Sequence, residues 1–552
     1  MADKEAKLTH NEVIKEANPS LAGDIAATLA DGAVDVFSKD DQQFLKFHGI
    51  YQQDDRDVRK QGKHFMFMIR GTNPGGVLSP DLYLTYDRLA DECGNQTLRI
   101  TSRQSFQFHG VVKSGLGALM RGINDALATT LAACGDVNRN VMAPPTPARN
   151  GLVTRVLEDS KLVAAALLPR TKAYHQIWVE GVKLKLDDSD YEDPLYGKTY
   201  LPRKFKVGFA TPPHNDTDVL TNCLGFVAIE ENGELAGYNL TAGGGMGMTH
   251  NNAKTYPRVA DVFGFFKPEH IESVAKAVLT IHRDFGDRTD RKHARLKYVL
   301  ADRGVEWFRG ELEQRTGLRL EEPKPFLFKQ QGDVVGWHEA ADGLWFLGLH
   351  VLSGRVKGAM KTALRQIVEK HQTQVRLTPS QNLLLCGVAA DDRDKISFIL
   401  SEHGLSVDET EQGTLLERGA MACPALPTCG LSLAESERYL PEFLGVVENL
   451  LEDEGLADEQ VIVRMTGCPN GCARPYMGEL GIVGRSPGKY AVYLGGNSSS
   501  TRLGKLFNQN VKSDEMGATL RPVISRYKNE RENGEGFGDF CARVVWPELE
   551  EA

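Results

Sequence analysis

No stretch of this chain is apolar for long enough to cross a membrane, which takes about 18 consecutive apolar residues. The amino terminus also lacks the charged and then apolar pattern of a signal or transit peptide. Positive charge is not in excess either, because 65 Lys and Arg stand against 74 Asp and Glu, for a net charge of −9. A general nucleic-acid binder needs a basic surface to contact phosphates. These absences predict a cytoplasmic protein of 552 residues that binds neither membranes nor nucleic acid.

Cysteine is scarce, and its odd number of nine at this low density argues against a disulfide framework. Four of the nine nevertheless lie between residues 423 and 472, in two closely spaced pairs. A dinucleotide fingerprint is missing, since the glycines at 243–245 do not meet the G-x-G-x-x-G spacing after a strand. Nothing in the sequence therefore indicates a flavin or nicotinamide site, and any such electron donor is expected to be a separate protein.

What the chain does contain is an internal repeat. Residues 99–111 read RITSRQSFQFHGV and residues 376–388 read RLTPSQNLLLCGV, and the two segments align without a gap. Each predicts a strand, a short turn and a second strand, and each follows a helical stretch, at 82–93 and 360–370. A looser echo joins 224–245 to 480–497, each a predicted strand, Gly-containing turn, strand and glycine cluster. The repeat predicts a duplicated α+β fold whose site lies where the two halves meet.

The paired cysteines lie in loops rich in proline and glycine. MACPALPTCG gives Cys423-x5-Cys429, and TGCPNGCA gives Cys468-x3-Cys472. Four thiolates in two wrapping loops are the ligands that a cubane iron–sulfur cluster takes. A structural zinc site is the main alternative, although its pairs are usually spaced by two to four residues. Buried free thiols are a third interpretation.

Several further segments carry a resemblance to a known family. They are FHGIYQQDDRD (47–57), RITSRQSFQFHG (99–110), NRNV (138–141), TYLPRKFK (199–206), RTDRK (288–292) and EGFGDF (535–540). Together with the cysteine pairs, these segments resemble the siroheme-containing sulfite and nitrite reductases, and the likeness covers nearly the whole chain.

The resemblance implies a fold and a division of the chain. Two related halves would meet with pseudo-twofold symmetry around siroheme, in three domains. The expected boundaries are an N-terminal extension at 1–67, a duplicated ferredoxin-like domain at 68–131 plus 334–410, a siroheme and substrate domain at 132–333, and a cluster domain at 411–552. It also implies that Cys423, Cys429, Cys468 and Cys472 bind a [4Fe-4S] cluster and that Cys472 bridges to the siroheme iron.

Basic residues are needed because siroheme is ringed by carboxylates and sulfite is a dianion. By resemblance, siroheme contacts are expected from Arg99, Thr101, Arg103, Gln107, Arg291 and Asn470. His109 is either a further contact or a structural histidine. Alternation by two would put Arg99 and Arg103 on one strand face, and Lys204 and Lys206 in one pocket. The resemblance places Arg70 and Arg139 on the substrate anion, and we expect Lys204 and Lys206 to bind it and to help protonate it.

The expected activity is the six-electron reduction of sulfite to sulfide in assimilatory sulfur metabolism. Reduction of nitrite to ammonia on the same scaffold is the alternative within the family. A non-catalytic electron carrier or zinc-stabilised scaffold is a third interpretation, which would leave the Lys and Arg motifs without a role. The expected partner is an NADPH-dependent FAD/FMN flavoprotein, with ferredoxin as the alternative donor.

Overall fold

The computed structural model describes residues 7–147, 151–170, 178–179, 182–183 and 191–551. Within these ranges no helix is both long and apolar enough to span a bilayer. The strands are β1 (Ile50–Asp54), β2 (Phe65–Arg70), β3 (Val77–Leu78), β4 (Leu98–Ile100), β5 (Phe106–Val111), β6 (Trp178–Val179), β7 (Val182–Lys183), β8 (Val207–Ala210), β9 (Leu224–Glu231), β10 (Glu234–Ala242), β11 (Asp261–Phe266), β12 (Gly336–Glu339), β13 (Trp345–Leu349), β14 (Arg355–Val356), β15 (Gln374–Leu377), β16 (Leu383–Val388), β17 (Met421–Ala422), β18 (Val463–Thr466), β19 (Leu480–Ser486), β20 (Lys489–Leu494) and β21 (Lys505–Lys512).

The α-helices of the described residues flank these strands. They are α1 (His10–Ala17), α2 (Ile25–Ala30), α3 (Asp41–Phe47), α4 (Pro80–Cys93), α5 (Lys113–Asp125), α6 (Leu152–Ala166), α7 (Ile271–Phe285), α8 (Leu296–Arg303), α9 (Val305–Thr316), α10 (Gly358–His371), α11 (Arg393–Glu402), α12 (Leu415–Arg418), α13 (Leu440–Asp453), α14 (Met516–Glu530), α15 (Phe537–Phe540) and α16 (Trp546–Glu551). The helices expected at 82–93 and 360–370 are confirmed as α4 and α10.

The repeat forms two five-stranded sheets that exchange a strand. One sheet has the order β1-β2-β5-β4-β14, and the other has the order β12-β13-β16-β15-β3. Strand β14 of the second half pairs with β4 of the first, and β3 of the first half pairs with β15 of the second. Each half therefore completes the sheet of the other, which confirms the duplication and locks the halves together.

Contacts across the pseudo-twofold axis are reciprocal. Gln104 donates to the carbonyl oxygen of Leu377 at 3.0 Å, and its counterpart Gln381 donates to the carbonyl oxygen of Ile100 at 3.4 Å. Gly76 and Gly354 approach the same two carbonyls with φ of +76° and +72°. A Cβ at either glycine would lie about 2.5 Å from the carbonyl oxygen, so only glycine fits.

One hydrophobic core serves both halves. Residues of α4 and β5, such as Tyr86 and Phe108, belong to the same buried cluster as Leu364 of α10 and Leu385 of β16. This shared core explains why the two halves form one unit, because neither has a separate apolar interior to bury.

Two further sheets complete the fold. The order β11-β10-β9-β8 lies with α6 to α9, and β17-β18-β19-β20-β21 lies with α13 and α14. The looser sequence echo is confirmed in these sheets, since β9–β10 and β19–β20 are antiparallel hairpins that precede glycine clusters. The molecule is the α+β, internally duplicated fold that the sequence predicts.

Candidate cofactor and anion-binding site

The two cysteine loops leave the same edge of the last sheet. Strands β17 and β18 are parallel neighbours, so the loops after their carboxyl ends lie side by side. The first loop carries Cys423, whose Sγ accepts a hydrogen bond from the Gly467 amide at 3.3 Å. The second carries Cys468, whose Sγ accepts from Asn470 Nδ2 at 3.4 Å. Hydrogen bonds of this kind stabilise thiolates that bind a metal cluster.

The electrostatics of the cysteines fit ligands of a metal centre. Burial and the neighbouring thiolates raise the pKa of Cys468 to about 11 and that of Cys423 further, so positive metal is needed to keep them deprotonated. Among the described residues, no three His, Cys, Asp or Glu side chains converge as one metal ion would require. A single tetrahedral zinc bonds all four sulfurs, whereas a cubane holds each thiolate on a different iron.

Cys472 is the exposed member of the four. Its negative charge acts to raise the pKa of Lys204, Lys206 and Arg70, against the effect of burial on all three. The carbonyl oxygen of Cys472 accepts from Ser102 Oγ at 2.8 Å, which ties the loop to the turn after β4. Cys472 thus lies where the cysteine loops meet a group of basic side chains.

Lys204 and Lys206 lie in the segment that leads into β8. Burial, with Arg203 and Arg295 nearby, lowers the pKa of Lys204 to about 7. Burial, with Arg103 and Lys204 nearby, also lowers the pKa of Lys206 well below its usual value. We find no hydrogen bond or ion pair from either ammonium group to a residue that the structure describes. Half-buried basic side chains without a counter-ion are the electrostatic arrangement that an anion would satisfy.

Arg70 and Arg139 come together at one carbonyl. Both donate to the backbone oxygen of Ala133 at 3.4 Å, and Arg139 also donates to the carbonyl of Gly135 at 2.7 and 3.1 Å. Neither guanidinium has a carboxylate partner among the described residues. Their remaining N–H groups can therefore donate to a bound oxyanion.

Arg70, Gln107 and His109 form a chain of hydrogen bonds. Arg70 and Gln107 are paired in register on β2 and β5. With its amide oriented to suit its neighbours, Gln107 accepts from Arg70 Nε at 3.0 Å and donates to His109 Nε2 at 3.2 Å. Burial, with Arg355 and Arg99 nearby, lowers the pKa of His109 well below its usual value, so the ring is neutral and can accept this bond.

The predicted common face of Arg99 and Arg103 is wrong. Strand β4 ends at Ile100, and Arg103 lies in the turn that Thr101 Oγ1 stabilises by accepting from the Arg103 and Ser105 amides. Arg103 donates to Asn222 Oδ1 at 2.9 Å, on the side of the basic group. Its Nε is buried without a partner among the described residues.

Arg99 and Arg291 each have a carboxylate partner. Arg99 is buried, and it donates to Glu437 Oε2 at 2.8 Å and to the carbonyl of Ala422, next to Cys423, at 2.9 Å. Arg291 forms a two-pronged ion pair with Asp136 at 2.7 and 2.9 Å. Both side chains thus hold elements of the protein together beside the site.

Three basic residues at the site were not singled out from the sequence. Burial, with Arg291 nearby, lowers the pKa of Arg203 to about 10. Arg295 donates to Cys223 Sγ at 3.5 Å, and its Nε is buried without a described partner. Lys297 donates to the carbonyls of Gly245 and Gly247 at 3.1 and 2.9 Å. The signal was present, because Arg203 belongs to LPRKFK, and RTDRKHARLK holds a dense run of basic residues.

The unsatisfied donors fit a large anionic cofactor. Two buried guanidinium Nε atoms, on Arg103 and Arg295, have no described partner and belong to the same group as the unpaired Lys204 and Lys206. A polycarboxylate such as siroheme supplies the acceptors that these donors lack.

Comparisons with known proteins agree with this geometry. The family description "Nitrite and sulphite reductase 4Fe-4S domain" matches residues 158–320, and "Nitrite/Sulfite reductase ferredoxin-like half domain" matches 58–126 and 338–403. The second description matches twice, once in each half of the repeat.

Full-length relatives point to the same family. The sulfite reductase (NADPH) hemoprotein beta-component of Myxococcus xanthus is 47% identical over 99% of this chain and 98% of its own length. The protein of the same name from Oceanobacillus iheyensis is 46% identical over 97% of this chain and 94% of its own. The solved structure of NirA from Mycobacterium tuberculosis superposes with a TM-score of 0.79 at 25% identity, over 97% of this chain and 96% of its own. The chain belongs to the nitrite and sulphite reductase family.

Proposed function

We propose that this chain is the hemoprotein of an assimilatory sulfite reductase, which reduces sulfite to sulfide with six electrons at a siroheme coupled to a [4Fe-4S] cluster. The observation that carries the proposal is that the half-buried, unpaired basic side chains of Lys204 and Lys206 lie beside the exposed Cys472. The names and full-length likeness of the relatives support the same activity.

The cofactors would be held by residues already described. Cys423, Cys429, Cys468 and Cys472 would bind the cluster, with Cys472 shared with the siroheme iron. Arg103, Gln107, His109, Asn470 and Thr101 would line the siroheme, with Arg99 and Arg291 holding the walls. When bound, these groups supply the electrons and the iron at which sulfite is reduced.

Arg70 and Arg139 bind and orient the substrate oxyanion through their free N–H groups. Lys204 and Lys206 add positive charge and deliver protons, because each oxygen must take up protons to leave as water. Lys204 suits this role, since burial and nearby Arg203 and Arg295 lower its pKa to about 7. A group with a pKa near the working pH both holds and releases a proton readily.

Sulfite is favoured over nitrite by charge. Four basic side chains converge on the site, namely Arg70, Arg139, Lys204 and Lys206, and a dianion gains more from their positive charge than a monoanion does. Nitrite reduction stays as the second candidate, because nitrite is also a small oxyanion reduced by six electrons.

The electron donor is proposed to be an NADPH-oxidising flavoprotein. The names of the relatives support this assignment, and this sequence has no nucleotide-binding fingerprint of its own. A cytoplasmic location and the domain division at 1–67, 68–131 plus 334–410, 132–333 and 411–552 belong to the same proposal.

The test is an optical spectrum with iron and acid-labile sulfide analysis of the purified chain. It is followed by methyl-viologen-driven reduction of sulfite and nitrite side by side. Siroheme bands, about five irons per chain and a lower KM for sulfite are the expected results. A clear preference for nitrite would move the assignment to the second candidate. A colourless protein that contains zinc would overturn the proposal.

A further inference from the structure

Arg474 lies two residues after Cys472 and is almost fully buried, at 4% exposure. Its Nη1 donates to the carbonyl of Ser102 at 2.8 Å, and its Nη2 donates to the carbonyl of Pro379 at 3.1 Å. Ser102 and Pro379 occupy the same position in the two aligned repeats. The guanidinium therefore lies on the pseudo-twofold axis and contacts equivalent atoms of both halves.

Asp218 holds Arg474 from a third direction. Its carboxylate, fully buried, pairs with Arg474 Nε and accepts from Arg464 at 2.6 and 3.2 Å. Arg464 belongs to β18, which leads into the second cysteine loop, and Arg474 follows that loop. One carboxylate thus fixes both ends of the segment that carries Cys468 and Cys472.

The Asp218 backbone is constrained for this role. Its φ is +46° and its ψ is 56°, a left-handed conformation that costs a non-glycine residue free energy unless its surroundings fix it. Burial opposes ionisation of Asp218, but Arg464 and Arg474 outweigh it and lower the pKa of the carboxyl. Asp218 therefore stays charged.

The same atoms reach Cys472 directly. The backbone carbonyl of Ser102 accepts a hydrogen bond from Arg474, and the Ser102 hydroxyl donates to the carbonyl of Cys472 at 2.8 Å. Arg474, Ser102 and Cys472 thus form a ring, which two hydrogen bonds and the backbone from Cys472 to Arg474 close. A shift of Arg474 would shift the backbone of Cys472.

Buried ion pairs contribute little net stability compared with apolar packing, because both charges lose their hydration. They contribute directionality instead, since an arginine guanidinium donates its hydrogen bonds only to acceptors near its plane. A charged network at the junction of both halves and the cysteine loop is better explained by a need for geometry than by a need for stability.

We propose that Arg474 is a positioning residue that sets the place of the Cys472 thiolate against the siroheme face, with Asp218 as its fixed counter-ion. This inference rests on the proposed function, because it concerns the thiolate that the two cofactors would share. Arg474 acts through Cys472, because its guanidinium donates to Asp218, Ser102 and Pro379 within the protein.

The test uses the holoenzyme with Arg474→Lys and Asp218→Asn. Lysine keeps the charge but lacks the fork that reaches two carbonyls and Asp218 at once. Siroheme and iron content should stay near those of the unchanged protein. The spectroscopic coupling between siroheme and cluster, followed by electron paramagnetic resonance, should weaken, and kcat should fall about tenfold with little change in KM for sulfite. Arg376→Lys is the control, because Arg376 donates to Pro145 and lies outside this network.

Full cofactor content with unchanged coupling in both variants would overturn the inference. Should Arg474→Lys fail to fold, the cofactor content and spectroscopic coupling of Asp218→Asn alone test the inference. Loss of both cofactors from both variants, with an equal loss from Arg376→Lys, would mean general unfolding and would also overturn it. An unchanged protein without siroheme or cluster would instead refute the proposed function, so the two failures are distinguishable.

Discussion

At the scale of single residues, Lys204 is a group whose charge changes near neutral pH. Burial, together with Arg203 and Arg295, lowers its pKa to about 7. Because the pKa of a lysine is depressed here, the cation is present below that pH and is lost as the pH rises through it. Attraction for an anion should weaken in the same window.

The first prediction follows from this titration. Above pH 7, kcat/KM for sulfite in the unchanged protein should fall relative to that of Lys204→Arg, by about tenfold per pH unit. Sulfite itself titrates in this range, and the variant serves as the control for it, since arginine stays charged. Turnover by Lys204→Arg should be lower throughout. Parallel pH profiles of the two proteins would exclude Lys204 as the titrating group.

A second prediction concerns Cys472. Cys472→Ser should lose the siroheme coupling, the cluster, or both, because serine is a poor substitute for a shared thiolate. Iron, acid-labile sulfide and the optical spectrum measure the loss. Cys93→Ser is the matched control, since Cys93 is a half-buried cysteine on α4 that should keep full cofactor content. A fully active, fully loaded Cys472→Ser protein would refute the bridging role.

At the scale of elements, the exchanged strands are the feature with the sharpest consequence for stability. Gly76 and Gly354 stand immediately before β3 and β14, and each approaches a carbonyl of the other half with positive φ. Any side chain at either glycine would push the exchanged strand away from its sheet.

The third prediction is that Gly76→Ala and Gly354→Ala each destabilise the protein by about 2 kcal/mol or more, through the clash and the backbone strain together. The apparent Tm in thermal unfolding measures the change. Gly310→Ala is the control, because Gly310 lies inside α9 with nothing within 4 Å of an added Cβ. It should be neutral or slightly stabilising. A similar Tm for all three variants would contradict the close packing at the axis.

The sequence predicted the elements better than their connections. The repeat and the helix before each of its copies could be predicted, because residue spacing and hydrophobic periodicity are properties of short segments. The strand exchange was not, since the pairing of β3 with β15 joins residues about 300 positions apart and leaves no local mark. The error for Arg103 has a similar cause, because alternation cannot reveal that β4 ends at Ile100.

The candidate site was predictable to the same extent. Its cysteines came from spacing and family likeness. The carboxylate partners of Arg99 and Arg291 could not be anticipated, because Glu437 and Asp136 come from distant parts of the chain. Arg295 was overlooked although it lies three residues beyond a quoted segment.

At the scale of the whole molecule, Glu437 joins the cysteine-bearing sheet to both halves of the repeat. It lies between the cysteine loops in sequence and pairs with Arg99 of β4 at 2.8 Å and with Arg355 of β14 at 2.7 Å. Burial opposes its ionisation, but Arg99 and Arg355 outweigh it and lower its pKa to about 2. The carboxylate is therefore charged at neutral pH and holds three elements together.

The fourth prediction compares two nearby carboxylates. Glu437→Gln should lower the free energy of unfolding by about 3 kcal/mol at pH 7, because it leaves two largely buried guanidinium groups without their counter-ion. Glu435→Gln should cost less than about 1 kcal/mol, since Glu435 pairs with Arg438 at the surface. Chemical denaturation of both variants measures the difference. Equal denaturation midpoints for the two variants would mean that Glu437 does not stabilise the contact between the cysteine-bearing sheet and the repeat.

The strand exchange also constrains how the protein is made. On the ribosome, domains generally fold as they emerge, the amino-terminal ones first. Here the first sheet must wait for β14, and β3 must wait for β15. The first sheet is therefore incomplete until residue 356 has been synthesised, and the second until residue 388. Through most of translation the nascent chain exposes unpaired strand edges, which invite aggregation. Loading of the iron centres must come later still, after synthesis has passed Cys472.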